Sequence, residues 1–192
     1  FENVALGVRD AKIKKFDINL VLERVLLKGN VVVKKAYCDW ERYKEFKSVM
    51  HDAAFELIEI PHTRQSGKNS ADIRMVVEAL DLCYTKEHID IFVIISGDSD
   101  FSPLVSKLRE NAKLVIGIGV RNSTSDLLMH NCDEFIYYED LVREQESRKT
   151  RQKKPAKKES AKPSKTHTKK ASDTADADEN SMDAAIQLVL ET

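Results

Sequence analysis

The sequence predicts a doubly wound α/β fold, a parallel sheet with helices on both faces. Three observations predict it. Ile91-Phe92-Val93-Ile94-Ile95 is a continuous apolar run, β-branched at most positions, as expected of a strand covered on both faces. Further short apolar runs recur at 31–38, 55–60, 114–120 and 134–138. The segments between them carry apolar residues at helical spacing, and strands alternating with helices make a parallel sheet.

In chain order, residues 1–7 are ambiguous on their own. Asp17 caps a helix over 18–27 that stops at Lys28-Gly29. Residues 31–38 read as a strand, 40–54 as a charged helix, and 55–60 as an alternating strand stopped by Pro61. Residues 62–70 are polar, hold Arg64, Gly67 and Lys68, and form a loop. Ile73, Val76, Val77, Leu80 and Tyr84 mark one face of a helix over 71–84. After the Ile91 strand, Ser102-Pro103 opens a helix through Leu104, Val105 and Leu108, with proline early in it. A strand at 114–120, a short helix at 125–130 and a short strand at 134–138 complete the pattern. From Arg143 the apolar periodicity vanishes. Residues 143–180 are expected to be a disordered linker, and 181–192 regain an amphipathic pattern, as the start of a second module.

The net charge of −1 hides a block layout. Residues 1–142 carry 19 basic and 23 acidic residues, 143–170 carry 12 and 3, and 171–192 carry none and 6. The basic block suits nucleic-acid phosphates, with a solvated linker as the equal alternative. Three scattered cysteines, Cys38, Cys83 and Cys132, exclude a disulfide framework and a cysteine zinc site. They suit a reducing, cytoplasmic setting. No apolar run spans a bilayer, so no membrane partner is expected. The chain begins with Phe inside a pattern, so it is expected to lack N-terminal residues.

The apolar strand at 91–95 breaks at Ser96-Gly97 into Asp98 and Asp100. Open α/β sheets bind ligands at this carboxyl edge. Two carboxylates on one tight turn repel, and a hard divalent cation, Mg²⁺ or Mn²⁺, relieves that repulsion. Taken alone, helix capping explains the pair equally well. Asp72 lies in the first turn of the preceding helix. A right-handed crossover would bring that turn to the same edge. Asn3 would reach it too, if a central strand precedes residue 1. Lys68, Arg64 and Arg121 are candidates for a substrate phosphate, with loop solvation the plainer reading. Ser96 and Ser99 have no histidine near them in sequence, and His51, His62, His88, His130 and His167 show no metal spacing.

ISGDSDF at 95–101, Lys68-x-x-x-Asp72, and FEN at 1–3 together resemble the NYN domain of the PIN-like nuclease superfamily, closest to its LabA-like branch. Gly117-Ile118-Gly119-Val120, Ser123-Thr124-Ser125 and 132–137 add to the likeness, which covers residues 1–142. The resemblance implies a three-layer PIN-like fold that binds Mg²⁺ or Mn²⁺ and cuts RNA. It implies Asp72, Asp98 and Asp100 as catalytic, metal-site carboxylates and Asn3 and Ser96 as polar supports. It also implies a further aspartate, ending a first strand, directly before Phe1. Residues 181–190 faintly resemble the start of an OST-HTH (LOTUS) RNA-binding domain, and a generic amphipathic helix accounts for them equally.

The leading expectation is a metal-dependent endoribonuclease whose partner is single-stranded or structured RNA, with the basic block adding affinity for RNA or other nucleic acid. Self-association is compatible with it. A noncatalytic RNA-binding or regulatory protein on the same fold is the alternative, although clustered carboxylates facing phosphates serve binding poorly. A glycosyltransferase reading of Asp98-Ser99-Asp100 ranks last, because no second substrate-binding half is visible.

Overall fold

The layering follows from the two faces of the Ile91 strand. In this computed structural model residues 1–60 and 70–152 are described; they fall in a unit spanning Phe1–Pro155. The first half contains α1 (Glu2–Asp10), α2 (Ile18–Leu26), β1 (Lys35–Cys38), α3 (Lys44–Asp52) and β2 (Glu56–Glu59). Then come α4 (Ser70–Thr85), β3 (Ile91–Ile95), a 3₁₀ turn (Ser99–Phe101) and α5 (Ser102–Glu110). β4 (Leu114–Gly119), a second 3₁₀ turn (Arg121–Ser123), α6 (Asp126–Asn131), β5 (Glu134–Tyr137) and α7 (Tyr138–Gln152) follow.

Side chains alternate across a strand. Phe92 and Ile94 pack with Cys83, Leu104, Val105, Leu108 and Leu128, so α4, α5 and α6 cover one face. Ile91, Val93 and Ile95 pack on the other side, against a core that includes Val4, Val21, Met50 and Leu141 of α1, α2, α3 and α7. The expected α/β arrangement with helices on both faces is therefore present. All pairings are parallel: β1 with β2, and β3–β4–β5 in that order. Among the described residues the strands form two sheets rather than one continuous ladder. β1 and β3 share no hydrogen bonds, and both line an apolar cavity of about 570 Å³.

The caps behave as their chemistry dictates. Asp17 accepts the Asn19 N–H at the start of α2, and Ser125 accepts the Leu127 N–H at the start of α6. Two stretches differ from expectation. The strand expected over 31–38 is only Lys35–Cys38, because its ladder to β2 begins at the Lys35–Glu56 pair. Val32 and Val33 stay exposed. Residues 143–152, expected to open the linker, continue α7. That continuation is polar and mostly exposed, so its support comes from side-chain pairs rather than burial. Lys149 Nζ donates to Gln145 Oε1 at 2.9 Å, Arg143 pairs with Asp140 at 3.3 Å, and Arg24 of α2 pairs with Glu144. The rest of the expected linker and the module at 181–192 lie outside the described residues. Among the described residues no helix is long and apolar enough to cross a membrane.

A candidate acidic site at the carboxyl edge of the sheet

Where β3 ends, three distant segments close on one turn. Ser96 is buried, and its Oγ accepts the Asp98 N–H at 3.2 Å. The Gly97 N–H donates to Asn3 Oδ1 at 3.0 Å, and the Gly97 carbonyl accepts the Ser125 N–H at 2.8 Å. Asp98 Oδ1 accepts the Asp100 N–H at 3.0 Å, which caps the 3₁₀ turn. Asn3 and Ser96 thus hold the backbone that carries both aspartates.

Gly97 is required by close approach rather than by a special dihedral. A Cβ there would fall 2.0 Å from the Ser123 carbonyl oxygen and 2.7 Å from its carbon. Backbone cannot swing aside as a flexible side chain can. Gly97→Ala is therefore expected to cost about 1–3 kcal/mol, the usual range for overpacking, read as a lower midpoint in urea. A stability equal to the parent's would show that the 121–125 loop moves away freely.

Asp72 joins the turn from α4. The rotation of that helix is set one and a half turns further on, where Glu78 receives Lys35 Nζ at 2.9 Å, the Tyr37 hydroxyl at 3.0 Å, and Arg74. Burial pushes the Glu78 carboxyl up, but these three hydrogen bonds outweigh it and hold it at about 2. Asp72 has the opposite fate. Burial raises its pKa, and repulsion from Asp98, Asp100 and Glu2 adds to the rise, with the Phe1 ammonium opposing. The three expected carboxylates therefore share one electrostatic neighbourhood. Oxygen donors that destabilise one another suit a hard divalent cation in kind. Among the described residues, however, no three His, Cys, Asp or Glu side chains are gathered closely enough to hold a metal ion.

Of the expected phosphate contacts, Arg64 and Lys68 lie outside the described residues. Arg121 is engaged elsewhere. Its guanidinium lies 3.8 Å from the Tyr137 ring centroid, pairs with Asp140 at 3.4 Å, and its backbone N–H donates to Glu139 Oε1 at 2.9 Å. His130 Nδ1 meets the Asp126 carbonyl within its own helix at 2.7 Å, a structural contact. Cys38, Cys83 and Cys132 are free thiols. Burial pushes Cys38 and Cys132 up to about 11, so neither is an activated nucleophile. Sequence reasoning missed Glu2 and Arg42, which pair at 3.5 Å beside this edge. Only the topology signals them, since Glu2 opens the helix that Asn3 belongs to and Arg42 follows the carboxyl end of β1.

A family model described as the NYN domain matches residues 1–139. An uncharacterized protein of Methanocaldococcus jannaschii is 26% identical over 125 residues, covering 64% of this chain. The chain spans only 49% of that relative's length. A crystal structure of a protein of unknown function from Vibrio parahaemolyticus superposes with a TM-score of 0.63 at 26% identity. That match covers 73% of this chain and 89% of the other.

Proposed function

Because the chain belongs to the NYN domain family, whose fold is PIN-like and nuclease-associated, we propose that it hydrolyses phosphodiester bonds of RNA with the help of a divalent metal. One observation carries the reading. Asp72, Asp98 and Asp100 come from two separate elements, yet the latter two help raise the Asp72 pKa. A fold gains nothing in stability from such repulsion, and a carboxylate perturbed by its neighbours at a sheet's carboxyl edge is typical of function.

Asp72, Asp98 and Asp100, which stand too far apart in this structure to hold an ion, would have to draw together around Mg²⁺ or Mn²⁺. The bound ion would supply a lowered water pKa and charge stabilisation at the scissile phosphate. The chain's own residues do the rest. Ser96 Oγ and Asn3 Oδ1 fix the turn through the Asp98 and Gly97 N–H groups. One of the site carboxylates accepts the proton of the attacking water. Arg42, half exposed and paired with Glu2 at 3.5 Å, joins Arg64, Lys68 and Arg121 as a residue that takes a substrate phosphate. The basic block over 143–170 adds salt-sensitive affinity for the same polymer. A reducing cytoplasm suits the three free thiols.

The deciding experiment is Mn²⁺-dependent cleavage of single-stranded and structured RNA by the full-length protein and by its Asp100→Asn variant. Single-stranded DNA serves as the competing substrate. The expected result is cleavage of RNA that the variant lacks. Equal cleavage by both proteins would make the site noncatalytic.

A further inference from the structure

The helix that carries Asp72 keeps an apolar face in solvent. Val76, Ala79, Leu80 and Cys83 of α4 pack into the core beside β3. Ile73, Val77 and Tyr84 do not: they are 63%, 58% and 58% exposed. At 3.6 residues per turn these three fall on one stripe with Leu80, which lies at the core's margin. The sequence pattern predicts the whole stripe as buried, but only its Val76 and Leu80 side reaches the core. Single exposed apolar residues are ordinary, whereas a contiguous stripe marks a contact surface.

The stripe is bordered by charges of both signs. Arg74 and Asp81 lie two turns apart, and so on the same flank. Arg74 is exposed and bridges Glu78. Asp81 is exposed and has no ion-pair partner among the described residues. A two-fold axis perpendicular to α4, passing between Val77 and Leu80, makes this face its own complement. Ile73 then meets Tyr84 of a second copy, and Val77 meets Leu80. Such an axis reverses the helix but sets like flanks face to face. Arg74 of each copy therefore stands beside Asp81 of the other, offset by about 3 Å along the axis at 1.5 Å per residue. Opposite charges meet twice, which fixes the register.

We infer that this face of α4 is the interface of an antiparallel homodimer. Parallel pairing is disfavoured, because it sets opposite flanks together, breaks both Arg–Asp pairs, and brings the two acidic edges level. Antiparallel pairing holds the two Asp72 positions about 20 Å apart along the axis. The chain's own end fits the face less well: residues 171–192 carry six acidic residues and no basic one, and would meet Asp81 and the acidic edge. With its 16 residues α4 is about 24 Å long, so the contact sits at the small end of specific interfaces. The dissociation constant is expected to be on the order of micromolar. The interface stands whether or not the acidic site hydrolyses RNA.

Sedimentation velocity of the full chain across the micromolar range tests this, with circular dichroism as the folding control. The parent is expected to pass from monomer to dimer. Val77→Lys places an unpaired charge at the centre of the contact and should weaken dimerisation by about tenfold or more. Asp81→Arg alone and Arg74→Asp alone each set like charges opposite one another, and should each weaken it by about tenfold. An equimolar mixture of those two variants is expected to restore association, since every arginine again meets an aspartate. A misfolded variant gains nothing from mixing. A full chain that stays monomeric overturns the inference, as does a dimer indifferent to Val77→Lys, or a mixture that associates no better than its components. Should deletion of residues 171–192 turn a monomer into a dimer, the face belongs to the chain's own end, and the inference for the full chain is likewise overturned.

Discussion

Asp98→Asn is expected to abolish metal-dependent cleavage while barely moving the melting temperature. The asparagine keeps an Oδ1 in the same place, so the Asp100 N–H, bonded at 3.0 Å, keeps its acceptor. The 3₁₀ turn stays capped. What disappears is the charge, and with it one of the donors proposed for the cation. Loss of a single electrostatic partner of a transition state costs about a hundredfold to a thousandfold in rate. Asp98→Ala removes both functions, and should add about 1 kcal/mol of lost capping. The pair of variants separates the two explanations that sequence alone left level. If Asp98→Asn cleaves as fast as the parent, the carboxylate is a cap and nothing more.

Asp72→Asn is expected to stabilise the metal-free protein at neutral pH and to blunt its response to metal. The sign follows from linkage. Burial first, then the neighbouring aspartates, raise the Asp72 pKa above its ordinary 3.8. The folded state therefore favours the protonated acid. Its stabilising contribution is complete below the ordinary value and is lost as the pH rises through the raised one. Above that point the ionised group opposes folding, and asparagine removes the opposition. Thermal unfolding in a chelator between pH 3 and pH 7 should show the variant's advantage growing with pH. Added Mn²⁺ reverses the ranking. A ligand at a hundredfold excess over its Kd stabilises by about 2.7 kcal/mol, and the variant should gain much less. A variant that is less stable in chelator and equally stabilised by Mn²⁺ would mark Asp72 as a structural residue.

The parts of the fold legible in the sequence were those fixed by local pattern. The run at 91–95 reads as a strand covered on both faces, and Phe92 and Ile94 do face a different core from Ile91 and Val93. Asp72 was placed by a rule of chain geometry, that a helix returning to a parallel strand starts at that strand's carboxyl edge. Its coupling to Asp98 follows from that rule. What stayed hidden depends on partners far along the chain. Val32 and Val33 have strand chemistry, but a strand needs a neighbour, and β2 starts too late to give them one. Arg121 has the right charge for a phosphate, yet Tyr137 and Asp140 claim it from beyond two further elements. The polar continuation of α7 carries no hydrophobic period to read, since its support is pairwise.

The Gly97 junction has a consequence for the order in which the molecule is made. Its three ties reach Asn3, 94 residues earlier, and the stretch from Ser123 to Ser125. No nascent chain that has yet to release Ser125 from the ribosome can clamp the turn that bears Asp98. The two carboxylates of that turn therefore gain their fixed geometry only after β4 has emerged, while α1 waits for it. Such long-range closure is slow to form. It keeps the acidic edge unassembled until Ser125 is free, while the polymer proposed as its substrate lies closest at hand.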